Sequence, residues 1–205
     1  MAKKVMDGAK GLFLLVSLLS SMFACVLCSR GSILRLETFR QPDKEPTVVK
    51  GLDLERYVGR WYEIASTPSF FQPENGTDTR ATYALNKNGT VDVLNESWIN
   101  GKRNFIKGFA YKDDPRSDEA KFEMKFYVPL AFSIFPAVGY YWVLYLDADY
   151  QYSIVGEPGR HYLFILSRKS HVDDETYKQL VQKAVDEGYD VSNLLKIPQS
   201  DTPPQ

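Results

Sequence analysis

Histidine, cysteine and paired carboxylates are where catalysis or metal binding would begin, and this chain uses them sparingly. His161 and His171 are its two histidines. They fall at the two ends of one predicted strand with no third ligand close in sequence, so no metal site is expected. Both cysteines, Cys25 and Cys28, lie in an apolar N-terminal run. A C-x-x-C pair can be redox-active or bind metal. Inside such a run it reads as two small apolar residues open to acylation. The chain beyond Cys28 has no thiol to act as nucleophile, metal ligand or disulfide partner. The acid pairs Asp113-Asp114 and Asp173-Asp174 fall in a turn and at a helix start, where solvated carboxylates belong. There is no Gly-x-Ser-x-Gly elbow and no phosphate-cradling glycine loop. No catalytic residue, metal or cofactor is therefore expected. The enzymatic alternative would be a buried acid acting on the epoxide or ester of a bound lipid.

The chain is rich instead in apolar and aromatic surface, with 13 Tyr and 12 Phe. Phe122, Met124 and Phe126 alternate with Lys121, Glu123 and Lys125. That period of two gives a strand with one apolar and one wet face. An interior lined by Phe122, Met124 and Phe126, with Trp98, Phe105, Trp142 and Tyr145 as further candidates, suits a fatty acid, lysolipid or other acyl or isoprenoid ligand. The same side chains could equally fill the interior and leave no cavity. The run Val128 to Val138 carries no charge and is punctuated by prolines. It is too short to span a bilayer and is expected to be a loop. An exposed apolar loop marks a partner or membrane site, here Pro129, Leu130, Phe132, Ile134, Phe135 and Pro136. The alternative is a lid over the mouth of the domain.

These residues need a scaffold, and the pattern of short segments supplies one. Leu52 to Gly59 reads as a helical turn stopped by glycine. Strands are predicted at 61–66, 79–85, 90–99, 103–112, 120–127, 140–146, 152–155 and 162–168. Turn residues separate most of them, including Asn86-Lys87-Asn88-Gly89, Asn100-Gly101 and Gly156-Glu157-Pro158-Gly159. Many short strands joined by hairpins favour an up-and-down meander. Closing eight strands removes exposed edges and encloses room for one small ligand. The period then changes. Asp173 can cap a helix to about Glu187, with Tyr177, Leu180, Val181 and Ala184 as its apolar stripe and Gly188 as its stop. The expected fold is all-β: an eight-stranded antiparallel barrel with one C-terminal helix packed outside.

Lys3, Lys4 and Lys10 precede the apolar run that begins at Leu12. This pattern makes residues 1–29 a signal peptide or an N-terminal membrane anchor. Residues 30–46 read as a linker, 47–197 as the domain and 198–205 as a flexible tail. The formal charge of −1, with an excess of cations in the leader, leaves a mildly acidic body and no footprint for nucleic acid. Sequons at Asn75, Asn88 and Asn95 matter only in a secretory setting. The first two are also Asn-Gly turn signals.

The order of a helical turn, Gly-x-Trp, an eight-strand meander and a trailing helix resembles the lipocalin family. Gly59-Arg60-Trp61-Tyr62-Glu63 is similar to its first motif and Ile165-Leu166-Ser167-Arg168 to its third. Leu146-Asp147-Ala148-Asp149-Tyr150 stands where the second should be but departs from the usual Thr-Asp-x-x-Tyr. The phrases Val49-Lys50-Gly51-Leu52, Trp61 to Ser66, Ser117 to Lys121, Asp174 to Val181 and Pro198 to Pro204 resemble plant temperature-induced lipocalins and bacterial outer-membrane lipoprotein relatives. The resemblance implies several things. Arg168 lies across the Trp61 ring and closes one barrel end. Gly59, Asp147 and Tyr150 serve as structural motif residues. The Pro-rich apolar segment contacts a membrane, with the plasma membrane surface as the location, and the function is lipid binding with membrane protection under heat or oxidative stress. The leader is a departure from plant members of this type.

Overall fold

The computed structural model describes residues 44–69, 75–130, 133–202 and 204, and for 128–130 and 133–136 their backbone alone. The leader at 1–29 and most of the linker lie outside the described residues. Gln41–Gln205 forms one compact unit.

A short helix α1 (Leu54–Tyr57) comes first. Its N-cap Asp53 accepts hydrogen bonds from the backbone N–H groups of Glu55 and Arg56, which have no partner inside so short a helix. Eight strands follow: β1 (Gly59–Ser66), β2 (Thr77–Leu85), β3 (Val91–Ile99), β4 (Lys102–Lys112), β5 (Lys121–Leu130), β6 (Ser133–Leu146), β7 (Tyr152–Gly156) and β8 (Leu163–Ser167). Each is antiparallel to its predecessor, and β1 pairs with both β2 and β8, so the sheet closes on itself. The tight turn at Asn100-Gly101 has both residues at positive φ, 51° and 74°. This is the primed-turn geometry that Asn-Gly favours.

The inner and outer faces of the wall carry separate cores. Inside, Trp61, Val93, Phe122, Val143, Val155 and Leu166 are buried together. Outside, helix α2 (Asp174–Asp186) lays Leu180 and Ala184 against Trp142, Leu144, Ile154 and Ile165. Asp173 caps α2 by accepting from the backbone N–H of Thr176 at 2.8 Å, and Gly188 ends it at φ +82°. Register shifts between Glu63 and Ala65 and between Val143 and Tyr145 turn two successive residues outward in each strand. A bulge of this kind inverts alternation for the rest of the strand.

A ninth strand, β9 (Leu195–Lys196), was not foreseen from the sequence. It pairs with Ala65 and Ser66, beyond the point where β1 has left β2. The segment expected to be a flexible tail is pinned in its first part. Ile197 N–H donates to the Ile64 carbonyl, and Asp78 N–H donates to the Pro198 carbonyl. The Gln199 amide donates to the carbonyls of both Glu63 and Thr79, bridging β1 and β2.

Beyond α2, the Tyr189 hydroxyl donates to the Glu157 carbonyl and accepts from the Glu157 N–H, holding helix end and β7 together. A Cβ on Gly156 would stand 2.2 Å from that hydroxyl. Gly156→Ala should therefore displace Tyr189 and cost roughly 1–3 kcal/mol, the usual range for overpacking. Urea unfolding checks this, and an unchanged midpoint would refute it.

Candidate functional site

One end of the barrel is latched. The Arg168 guanidinium carbon lies 3.8 Å from the centroid of the Trp61 ring. Its nitrogens donate to the carbonyls of Arg56, Tyr57, Arg60 and Tyr150. The five N–H donors of the planar fork suit such convergent carbonyls, and the stacking adds about 0.5–2 kcal/mol. Trp61 is fully buried, and its indole N–H donates to the Tyr57 carbonyl at 2.8 Å. Gly59 sits at φ +97°, with the Arg168 side chain 3.4 Å from where its Cβ would be. Asp147 organises the adjoining turn by accepting the backbone N–H groups of Asp149, Gln151 and Tyr152. Tyr150, at φ +59°, receives the Asp53 N–H on its hydroxyl and Arg56 over its ring.

Above this floor, three tyrosines line the interior. The hydroxyls of Tyr57 and Tyr141 are 2.7 Å apart, and Tyr57 also meets Ser153 Oγ at 3.0 Å. Burial pushes Tyr57 up to about 12 and raises Tyr83 and Tyr141 well above the ordinary phenol range. All three stay protonated near neutrality and act as neutral donors. A space of about 20 Å³ lies between Leu54, Tyr83, Val93, Phe122, Met124 and Tyr141, enough for roughly one water molecule. A larger hollow of about 320 Å³ lies outside the barrel, beside Ile64, His171, Tyr177 and Lys196.

The seven residues expected to line the interior divide between the two faces. Phe122, Met124 and Phe126 belong to the inner cluster. Trp142 and Tyr145 face outward, beneath α2, where Lys121 covers the Trp142 ring and Lys183 the Tyr145 ring. Trp98 pairs with Arg103 on the outer wall and is stacked by Arg80. Phe105, opposite Glu96, is 56% exposed on the same outer wall. These four are corrections, and they share a cause. Apolar residues on both sides of a wall erase the period-two signal, and a bulge reverses its sense.

The apolar run is also corrected, from a loop to the distal part of the β5–β6 hairpin. Pairing continues through Tyr127↔Pro136, Val128↔Phe135 and Pro129↔Ile134 to Leu130↔Ser133. Phe132 lies outside the described residues. Pairing of β4 with β5 stops at Phe126, where β4 (still paired with β3 down to Lys102) parts from β5, and that of β6 with β7 stops at Trp142, so the distal hairpin has a free edge on each side. Proline is tolerated in strands at such edges.

Two inner-wall features escaped sequence reasoning. Glu63 is buried, 7% exposed, and faces Leu166 across β1–β8; it is engaged in further interactions. Asn95 turns inward beside Ala81 and Ile106, and its side-chain oxygen is buried with no hydrogen-bond partner. The sequon at Asn95 thus sits on an inward-facing residue. The alternation Val91, Val93, Asn95 was the available signal for it.

This geometry agrees with what comparison finds. A family model described as a lipocalin-like domain matches residues 52–199. Temperature-induced lipocalin-1 of Arabidopsis thaliana is 66% identical over 162 residues, covering 79% of this chain and 87% of that protein. Outer membrane lipoprotein Blc of Escherichia coli (strain K12) is 32% identical, covering 90% and 96%. Among solved structures, insecticyanin from the tobacco hornworm Manduca sexta superimposes with a TM-score of 0.61 at 23% identity, covering 80% of this chain and 89% of that one, a likeness of fold. With its barrel closed by Trp61 and Arg168 and its trailing helix outside, the chain belongs to the lipocalin family.

Proposed function

We propose that this lipocalin binds one small lipophilic molecule, a fatty acid, lysolipid or similar acyl chain, while associated with a membrane surface through its β5–β6 hairpin. Lipocalins bind small hydrophobic ligands, and the observation that carries the reading here is the apolar inner wall of Phe122, Met124 and Phe126 above a latched floor. Membrane association is supported by the uncharged distal hairpin, whose two edges are unpaired. Protection of membranes under heat or oxidative stress rests on the 66% identity to a temperature-induced lipocalin.

The space of about 20 Å³ beside Phe122 and Met124 sets a condition at that level of the barrel. Ligand pockets measure roughly 300–1,000 Å³, so an acyl chain must displace side chains as it enters. Met124 is suited to this, since its unbranched thioether adapts at low cost. The same small volume favours a second reading: a filled barrel acting as a membrane-surface module.

The test pairs native mass spectrometry of protein purified from its own cells with a Phe126→Trp reporter. A carrier should retain lipid mass, and emission from the introduced indole should shift as oleate is added. Absence of both responses would leave the filled-barrel reading standing. Trp98 and Trp142 face outward and should respond little.

A further inference from the structure

We infer that the outer wall of β4–β6, beside the hairpin, docks on an anionic lipid surface. The inference rests on the membrane reading above and extends it from the hairpin to a face with a defined charge preference.

The outward side chains of these strands form an aromatic patch. Phe105, Tyr127, Val138 and Tyr140 are each 53–56% exposed. Phe109 packs between Tyr111 and Tyr127, with ring centroids 6.1 Å and 6.4 Å away. Large apolar groups gathered on one face mark an interaction site, whereas scattered ones do not. This face belongs to the convex outside of a barrel and suits a broad surface.

Cations outnumber acids on the outer face of β4 and β5. Lys107 projects between Phe105 and Phe109, Lys125 lies 4.9 Å over the Tyr111 ring, and Lys102 stands at the rim. Arg103 is already bonded to Glu96. Glu123, the acid on this part of β5, receives the Tyr111 hydroxyl. A chain of net charge −1 thus places lysines beside its exposed aromatics. Tyrosine rings favour the headgroup level of a bilayer, and lysines nearby are drawn to anionic lipid. From Phe126 to Leu146 the sequence carries no charge, so the hairpin offers apolar surface to the bilayer while the flexible stems of Lys102, Lys107 and Lys125 carry their charges to the headgroups. An acidic protein partner would match the lysines but leave the uncharged hairpin unexplained.

The test uses the full chain with Cys25→Ser, Cys28→Ser and Val138→Cys, carrying an environment-sensitive dye on the single thiol. The dye reports the wall directly, whatever the leader does. Vesicles are phosphatidylcholine alone or with phosphatidylserine. The blue shift is expected at about a hundredfold lower lipid concentration on the anionic vesicles, each of the three lysines contributing roughly fivefold. High salt should abolish the difference. Adding Lys102→Glu and Lys107→Glu, both on exposed sites, should raise the half-point at least tenfold on anionic vesicles and leave neutral ones unchanged. The same dye at Lys87→Cys, on the turn at the opposite end of the barrel, should not shift. Equal half-points on the two vesicle types, or no effect of charge reversal, would overturn the inference and leave membrane contact intact. A dye at 138 that shifts on neither vesicle would overturn both and favour a protein partner.

Discussion

Trp61→Ala is expected to lower the melting temperature by about 10 °C. Trp61 has no exposed surface and is packed between the Tyr57 ring, at 5.1 Å, and the Arg168 guanidinium, at 3.8 Å. Truncating a buried tryptophan costs about 3–5 kcal/mol, because the vacated volume collapses incompletely. For a domain of this size each kcal/mol shifts the midpoint by roughly 2–4 °C. Two further costs act at the same place. The Tyr57 carbonyl loses its indole donor, and Arg168 loses its stacking partner. Arg168→Ala should cost less, since its carbonyl partners on Arg56 and Arg60 are exposed enough to be taken over by water. The double variant should fall short of the sum, because both residues belong to one latch. Calorimetric melts of the four proteins check this. A drop under about 3 °C for Trp61→Ala would show that the latch contributes little.

The second large effect belongs to a buried ion pair on the outer wall. Arg80 Nε meets Glu96 Oε2 at 3.0 Å, with side chains 2% and 4% exposed, and Arg103 reaches Oε1 at 2.6 Å. Glu96→Gln leaves Arg80 buried without its counter-charge, and breaking such a pair costs about 3–5 kcal/mol. Arg103→Ala, at a side chain 43% exposed, should cost under about 1 kcal/mol. The pH dependence has a definite sign. Burial alone would push the Glu96 carboxyl up, but hydrogen bonds and charge from Arg80 and Arg103 outweigh it and hold the group below its ordinary value of 4.5. A lowered folded value means that the stabilisation is fully present above the ordinary value and fades as pH falls through the lower one. Urea unfolding of wild type and Glu96→Gln should differ by a constant amount from pH 7 to about pH 5, and the gap should narrow below about pH 4. A gap that widens in acid would contradict the assignment.

Legibility in the sequence followed solvent exposure. Lys121 to Lys125 announced their strand because one face is wet and the other packed. Trp142 and Tyr145 could not, since α2 covers their outer face and the strand is apolar on both sides. Trp98 misled for a related reason. It is buried, as expected of an inward residue, but the cover is Arg80, which also reaches the Pro204 carbonyl. Pro129 and Pro136 suggested a loop because proline interrupts most strands. Here they occupy a hairpin with two free edges. The Asp173 cap, the Asn100-Gly101 turn and the pairing of Trp61 with Arg168 rest on local chemistry or on the family motifs, and were readable from them. The strap at 195–200 depends on long-range hydrogen bonds to β1 and β2, for which no short pattern exists.

That strap has a consequence for how the protein is made. β1 needs β8, about a hundred residues later, as its neighbour. Leu195 to Ser200 bridge the distal half of β1 and the start of β2. On a ribosome the first strand therefore emerges long before its last partner, and the barrel seam cannot close until β8 has followed. Such non-local pairing makes folding slow and exposes unpaired edges meanwhile. Stop codons or frameshifts between codons 195 and 200, which spare the eight-stranded sheet, should lower the yield of soluble protein without altering any residue of the inner wall.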